Sequence, residues 1–254
     1  MDTKILSVIN QKGGVGKTTT VINLASALAI KGKRVLIIDL DPQGNSSTGL
    51  GIDENNRVKN IYNCLVSNDS IKTSIKKTSV QNLDIVPATV DLAGAEVEIS
   101  ETEHKLFTLK KRLEGLENLY DFILLDCPPS LGLLTLSSLT ASTGVLIPVQ
   151  CEFFALEGIT HLVKTISVVQ KTTNPNLIIE GLVMTMYDKR NRLSSLVKDD
   201  IEEVFGNKVF YTRIPRNVRV SEAPSYGKPV ITYDEQCPGS QAYIRLANEL
   251  LKRI

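Results

Sequence analysis

Short apolar runs alternate with helical patterns along the whole chain, and this alternation constrains the fold most strongly. The runs are nearly continuous in Ile, Leu and Val, which is typical of strands buried on both faces of a parallel sheet. Helical patterns lie between them, so we predict a doubly wound α/β fold with a mostly parallel sheet flanked by helices. The predicted strands are Ile5–Ile9, Val35–Ile38, Leu83–Val86, Phe122–Leu125, Val145–Val149 and Ile178–Val183, and the predicted helices are 17–31, 104–117, 132–142, 155–173, 193–205 and 240–253.

Composition indicates an ordinary globular protein. The 254 residues are 42% hydrophobic and 22% charged, which excludes disorder as the dominant state. We expect one domain over residues 1–254, with no N-terminal DNA-reading domain and with short helices in a loop from Gly49 to Asn82. The four cysteines are far apart and form no C-x-x-C pair. Together with the lack of a signal-peptide pattern or a long apolar span, this favours reduced thiols in a cytoplasmic protein.

A glycine-rich segment lies between the first predicted strand and the first predicted helix. Glycines let backbone amides approach phosphate oxygens, and the helix N-terminus adds positive partial charge. We expect Lys17 to reach the β- and γ-phosphates and the Thr18 hydroxyl to bind Mg²⁺. The alternative is a turn without a ligand, but the strand before it and the helix after it favour nucleotide binding. The segment reads Asn10-Gln11-Lys12-Gly13-Gly14-Val15-Gly16-Lys17-Thr18-Thr19, and we expect residues 12–19 to line the nucleotide.

This segment departs from the ordinary phosphate loop G-x-x-x-x-G-K-[ST], whose first glycine would fall at Gln11. An additional lysine, Lys12, gives K-G-G-x-G-K-T-T instead. With this deviant motif the chain resembles the ParA/MinD family of P-loop ATPases. The resemblance implies that ATP and ADP are the nucleotides. It also implies that Lys12 acts in trans, reaching the phosphates of the partner in a nucleotide-sandwich dimer. The alternative is a solvated loop lysine.

Two further predicted strands end in carboxylates. Asp39 and Asp41 follow one strand and Asp126 follows another, and ligands of open α/β sheets bind at the carboxyl ends of the strands. Asp126 comes after four apolar residues, the Walker B pattern of an acid that holds the metal through water. A single aspartate there is often only a helix N-cap, but three beside a phosphate loop favour chemistry. The resemblance implies that Asp41 orients the hydrolytic water and that Asp39 lies near the metal.

Three later segments extend the resemblance over nearly the full chain and narrow it to the short, chromosomal ParA/Soj type. They are DCPPSLG at 126–132, PVQCEFFALEG at 148–158 and IPRNVRVSEAPSYGKP at 214–229. This type implies an ATP-driven homodimer that binds double-stranded DNA without sequence preference. It also implies weak ATP hydrolysis that a ParB-type centromere-binding partner stimulates, and a location on the nucleoid. Pro215 and Asn217 are implied contacts of the adenine.

Charge is balanced overall, so DNA binding would need a local patch. Lys plus Arg total 29 and Asp plus Glu total 28, for a net charge of +1. The resemblance assigns Arg190 and Arg219 to the DNA surface, whereas the residues alone would favour ordinary solvated loop charges. Since aromatic residues are not interleaved with these cations, duplex backbone contacts fit better than single-strand stacking. The surrounding basic residues are Lys189, Arg192, Arg213 and Arg216.

Three other functions remain as alternatives. A MinD-like membrane-cycling ATPase would need an amphipathic C-terminal helix, but we expect the apolar stripe of Tyr243, Ala247, Leu250 and Ile254 to pack on the domain. A reductase iron protein would need cysteines placed for a cluster between two subunits. A DNA-binding scaffold with a purely structural nucleotide is disfavoured by Asp41. We therefore predict an ATP hydrolase without membrane attachment.

Overall fold

The structure is a computed structural model that describes residues 2–100 and 104–254. Within this part of the chain, the strands are β1 (Lys4–Val8), β2 (Val35–Asp39), β3 (Lys76–Lys77), β4 (Leu83–Val86), β5 (Phe122–Asp126), β6 (Gly144–Gln150) and β7 (Ile178–Thr185). They form one sheet in the order β3-β4-β2-β5-β1-β6-β7. All neighbours are parallel except β3, which pairs antiparallel with β4 at one edge. The predicted doubly wound, mostly parallel sheet is confirmed.

Helices connect the strands and cover both faces of the sheet. Their bounds are α1 (Lys17–Ile30), α2 (Asn45–Gly49), α3 (Ile61–Val66), α4 (Ile71–Ser74), α5 (Leu92–Ser100), α6 (Thr108–Leu113), α7 (Leu133–Ala141), α8 (Ala155–Thr172), α9 (Arg192–Phe205), α10 (Val218–Glu222), α11 (Val230–Tyr233) and α12 (Pro238–Arg253). Short 3₁₀ turns occupy Glu54–Asn56, Lys105–Phe107, Gly206–Lys208 and Ala223–Tyr226.

Two hydrophobic cores lie on opposite faces of the sheet, because successive side chains of a strand point to opposite sides. In β2, Leu36 and Ile38 belong to the core shared with α3, α5 and α7–α9, whereas Ile37 belongs to the core under α1 and α12. The α12 residues Tyr243, Ala247 and Leu250 are fully or almost fully buried in the second core, and Ile254 packs against it. As predicted, the apolar stripe of α12 packs on the domain.

The differences from the predicted elements are local. The helix expected over residues 104–117 is a 3₁₀ turn followed by α6, which ends at Leu113 shortly before Gly115, a residue that interrupts helices. The stretch from Gly49 to Asn82 does hold short helices, but it also contains the unpredicted edge strand β3. Helices α5, α10 and α11 were not predicted either. At four to nine residues, they are too short to give a clear helical periodicity.

No helix among residues 2–100 and 104–254 is long and apolar enough to cross a membrane. The cysteines Cys64, Cys127, Cys151 and Cys237 are all free and buried.

Candidate functional site

The phosphate loop connects the end of β1 to the N-terminus of α1, as predicted. Gly14 and Gly16 adopt φ angles of 76° and 85°, a backbone conformation that favours glycine and is typical of anion-binding loops. The Asn10 side chain braces the loop: its Nδ2 donates to the Pro148 carbonyl at 2.8 Å, and its Oδ1 accepts from the Lys12 amide at 3.0 Å. The loop is therefore held open, with the positive end of α1 behind it.

Lys17 is the charged centre of this loop. Its Nζ donates to the Lys12 carbonyl at 3.3 Å, and the residue is only 7% exposed. Burial lowers its pKa, while the nearby carboxylates of Asp126 and Asp41 act in the opposite direction. Lys17 is thus a desolvated cation facing acidic groups, an environment in which its charge interacts strongly with an anionic ligand.

Asp39 and Asp126 end the neighbouring strands β2 and β5 and are direct register partners. Both are fully buried. Burial is the main reason that the pKa of each carboxyl group is raised, and the charge of Asp39 raises that of Asp126 further. Two carboxylates in this position repel each other unless a cation lies near them.

The first turn of α2 supplies hydrogen bonds to both carboxyl groups. The Ser46 hydroxyl donates to Asp126 Oδ2 at 2.7 Å. The Ser47 amide and hydroxyl donate to Asp39 Oδ2 at 2.9 and 2.7 Å. These two serines, which the sequence analysis missed, directly follow the Asp39–Asn45 segment and fix the orientation of both acids.

One carboxylate oxygen lacks such a partner. Asp126 Oδ1 is buried, and among the described residues it accepts no hydrogen bond within normal geometry, although the Thr18 side chain lies close enough to lower the pKa of this carboxyl group. Mg²⁺ keeps several waters and takes few protein oxygens. An unpartnered carboxylate oxygen beside a hydroxyl therefore fits a magnesium ion.

Asp41 lies at the same edge, two residues beyond the end of β2. Its amide donates to Asp39 Oδ1 at 3.2 Å, and its own Oδ1 accepts from the Gln43 amide at 3.0 Å. The side chain is thereby held in a tight turn facing Lys17, with Asp41 8% exposed. The structure brings the predicted residues Lys17, Thr18, Asp39, Asp41 and Asp126 together.

A cavity of about 320 Å³ opens beside the loop and contains both predicted base contacts, Pro215 and Asn217. Gly14, Gly16 and Thr19 form its loop side. The Asn217 side chain accepts from the Val220 amide at 3.3 Å and so caps α10. Thr185, which the sequence analysis missed, donates to the Val15 carbonyl at 2.7 Å and ties the end of β7 to the loop.

Lys12 forms an ion pair with Glu152 of the same chain. About half of each side chain is exposed, at 51% and 43%. Phe153 and Phe154 follow Glu152 as an exposed, edge-to-face aromatic pair, at 75% and 70% exposure. The surface around Lys12 thus combines an exposed charge pair with unusually exposed aromatic rings.

Of the predicted DNA residues, Arg190 lies in the turn before α9 and Arg219 lies in α10. The Tyr187 amide donates to the Ile214 carbonyl at 2.9 Å, which joins the segment that leads to Arg190 to the segment that leads to α10. Both guanidinium groups have acidic partners: Arg190 pairs with Asp188 at 2.9 Å, and Arg219 pairs with Glu222 at 3.0 Å and Asp234 at 3.4 Å.

Comparisons with known proteins agree with this arrangement. Residues 3–179 match the family model of an AAA domain. The chain is 51% identical over 252 residues to the chromosome partitioning protein ParA of Caulobacter vibrioides, covering 98% of this chain and 94% of that protein. It is also 51% identical over 247 residues to the sporulation initiation inhibitor protein Soj of Bacillus subtilis, covering 97% and 98%.

A solved structure extends the comparison to the fold. Cobyrinic acid a,c-diamide synthase from Mycobacterium smegmatis, with bound ADP and magnesium, matches with a TM-score of 0.87 at 36% identity, covering 98% of this chain and 94% of that one. The chain therefore belongs to the ParA/Soj family of chromosome-partitioning ATPases.

Proposed function

We propose that this protein hydrolyses ATP to ADP and phosphate, weakly on its own, and uses the cycle to move DNA. The convergence of Lys17, Thr18 and three aspartates at one sheet edge, beside the glycine-rich loop, carries this proposal. Such a site can position a nucleotide and compensate the charge that develops on the transferred phosphoryl group.

Each residue has a distinct role in this reaction. Residues 12–19 cradle the phosphates, and Lys17 neutralises the terminal ones. Asp41 orients the attacking water, because its carboxylate faces the site from a rigid turn. Thr18 and Asp126 would hold Mg²⁺, with Asp39 behind them. When bound, the ion compensates charge on the β- and γ-phosphates.

The cavity that contains Pro215 and Asn217, here called the base cavity, would hold the adenine base at the other end of the nucleotide. Pro215 offers an apolar surface to the adenine ring. The Oδ1 atom of Asn217 is engaged by the Val220 amide, so its Nδ2 group is the one that remains to donate a hydrogen bond to a ring nitrogen or the ribose.

We propose that ATP drives formation of a homodimer in which Lys12 reaches the partner's phosphates. Support comes from the exposure of Lys12 and from the neighbouring Phe153 and Phe154, which an interface would bury. Facing triphosphates repel each other, so a cation between them is required. The ion pair with Glu152 is exposed, and exposed pairs are weak enough to exchange for another anion.

The dimer would bind double-stranded DNA through Arg190 and Arg219, without sequence preference. The hydrogen bond between Tyr187 and Ile214 joins the segment that leads to Arg190 to the segment that leads to α10 and Arg219, which supports one surface on each protomer. A ParB-type centromere-binding protein would stimulate hydrolysis and release the dimer. The protein would then act in the cytoplasm, on the nucleoid.

The test measures ATP hydrolysis with and without duplex DNA and a centromere-binding partner. We expect slow hydrolysis by the protein alone and a marked increase only when both additions are present. Liposome flotation with ATP addresses the MinD-like alternative, which we disfavour because the apolar stripe of α12 is already buried. ATP-dependent flotation together with a rate that DNA and partner leave unchanged would contradict the proposal.

A further inference from the structure

Arg57 is a buried cation with no acidic partner. It is 6% exposed and follows the 3₁₀ turn Glu54–Asn56, outside the motifs discussed above. Its guanidinium group donates five hydrogen bonds to neutral acceptors, and among residues 2–100 and 104–254 it forms no ion pair with a carboxylate. A buried charge without a counter-ion is costly, so its five hydrogen bonds must offset that cost.

The acceptors of Arg57 show which parts of the chain it joins. Nη2 donates to the Thr48 hydroxyl at 2.8 Å and to the Ile52 carbonyl at 2.6 Å, and Nε donates to the same carbonyl at 3.0 Å. Nη1 lies between the carbonyls of Gly44 and Ala88, at 3.5 and 3.4 Å. One guanidinium group therefore links both ends of the first turn of α2 to the segment that follows β4.

The contact with Gly44 is close and depends on the absence of a side chain. Gly44 has a φ of 60°, and a Cβ atom built there would lie 2.6 Å from Arg57 Nη1. The Gly44 amide donates to the Asp41 carbonyl at 2.9 Å. The guanidinium group thus packs directly against the last residue of the turn that begins at Asp41.

The start of α2 contacts the strand-end carboxyl groups as well as Arg57. Ser46 and Ser47 bond the carboxyl groups of Asp126 and Asp39, while Gly44 and Thr48, on either side of them, bond Arg57. The start of α2 is consequently fixed between the strand-end acids and the guanidinium group. Loss of the hydrogen bonds to Arg57 would therefore let the start of α2 shift relative to the strand-end acids.

We propose that Arg57 is a positioning residue for hydrolysis: it holds the Asp41–Gly44 turn so that the Asp41 carboxylate stays aimed at the attacking water. This inference rests on the proposed role of Asp41. Within residues 2–100 and 104–254, no hydrogen bond or ion pair joins Arg57 to Lys17 or to the phosphate loop, so we expect it to affect the rate of the chemical step and not ATP binding. Small misplacements of a catalytic group lower rates by up to about 100-fold.

The experiment compares Arg57→Met and Arg57→Lys with the wild-type protein by steady-state ATP hydrolysis. We expect kcat to fall about 10- to 100-fold in Arg57→Met, with KM for ATP changed less than about threefold. Arg57→Lys keeps the charge and the apolar stem, so it guards against misfolding. Its single nitrogen cannot span the acceptors, and we expect a similar loss of kcat at unchanged KM. The matched control is Arg253→Met, whose guanidinium group also bonds main-chain carbonyls but lies over Phe210. It should keep wild-type kcat.

A double-variant cycle separates this inference from the proposed function. In an Asp41→Ala background, Arg57→Met should cause no further loss, because the group it positions is gone. A wild-type kcat in Arg57→Lys, or losses that simply multiply in the double variant, would overturn the role of Arg57 while leaving that of Asp41 intact. A wild-type rate in Asp41→Ala alone would overturn both.

Discussion

Asp39 and Asp126 stand side by side on neighbouring parallel strands, fully buried and with raised carboxyl pKa values. Two buried acids that repel each other lower the stability of the metal-free protein, and such strain is typical of functional sites. Because both carboxyl groups are buried, we expect the stability of the protein to respond strongly to a cation that binds beside them.

The variant Asp126→Asn should separate stability from activity. The amide removes one buried charge, so without Mg²⁺ or nucleotide we expect the melting temperature to rise by about 3 °C. Hydrolysis of Mg²⁺-ATP should be lost, because the unpartnered oxygen is no longer an anionic ligand. Calorimetric melting and an ATPase assay check the two halves. A lower melting temperature would show that the carboxylate stabilises the apo fold.

Lys17→Ala and Asp41→Ala should fail at different steps. Lys17→Ala removes the buried cation of the phosphate loop, and we expect titration calorimetry to detect no ATP binding. Asp41→Ala leaves the loop intact, so ATP should bind normally while kcat falls by about 100-fold or more. Normal ATP affinity in Lys17→Ala would refute the role of this lysine, and failure of Asp41→Ala to bind ATP would make Asp41 structural.

Lys12→Gln should prevent the ATP-dependent dimer without preventing ATP binding. The side chain is half exposed and pairs with Glu152, while Lys17 bonds the main-chain carbonyl of Lys12, so we expect the cradle of its own chain to stay complete. In sedimentation with ATP, the Asp41→Ala variant should be a dimer. The double variant Asp41→Ala/Lys12→Gln should be a monomer under the same conditions.

The control for Lys12 is Lys31→Gln, which removes a charge after the end of α1, at the opposite end of the helix from the phosphate loop. It should sediment as the parent does. The same dimer with and without ATP, or a dimer in Lys12→Gln, would contradict the trans role.

Arg190→Ala and Arg219→Ala should weaken binding to all duplexes about equally, because phosphate contacts carry no sequence information. Each substitution removes two contacts in a symmetric dimer, so the slope of log affinity against log salt should fall by about 2 units. A salt titration on two unrelated duplexes, with ATP in the Asp41→Ala background, measures this. A strong preference for one duplex would refute the surface.

Asp188→Asn removes the acidic partner of Arg190 and should therefore change duplex affinity in the opposite direction to Arg190→Ala. Arg190 lowers the pKa of Asp188 to about 2 through hydrogen bonds, and Arg216 adds to this, so the carboxylate is charged and partly cancels the arginines. We expect its removal to strengthen duplex binding about two- to fivefold at low salt. An unchanged affinity would mean that the Arg190 loop does not contact phosphates.

The sheet and the phosphate loop could be predicted from the sequence because their signals are local. Buried strands such as Phe122–Asp126 are nearly continuous apolar runs, and the loop is one unbroken motif. Short elements such as α2 carry too few residues for a periodic signal. The bonds of Ser46 to Asp126 and of Arg57 to Ala88 join residues 80 and 31 positions apart. They exist only after the strands are placed.

The ion pairs of Arg190 and Arg219 also differ in whether the partner is near in sequence or is brought close by the fold. Arg190 and Asp188 are two positions apart, so their contact is local in the sequence. Arg219 also meets Asp234, which approaches only through the packing of α10 against α11. The number of charges could therefore be counted from the sequence, whereas the number left unpaired for a binding partner could not.

Three consecutive residues at the end of β7 serve three different neighbours. Thr185 bonds the phosphate loop, Met186, with a φ of 49°, lines the cavity that also contains Pro215 and Asn217, and Tyr187 bonds the loop before Pro215. Because β7 ends at Thr185, a residue inserted after it would shift Met186 and Tyr187 away from these neighbours. A change of length here would therefore uncouple the phosphate loop from the loop before Pro215.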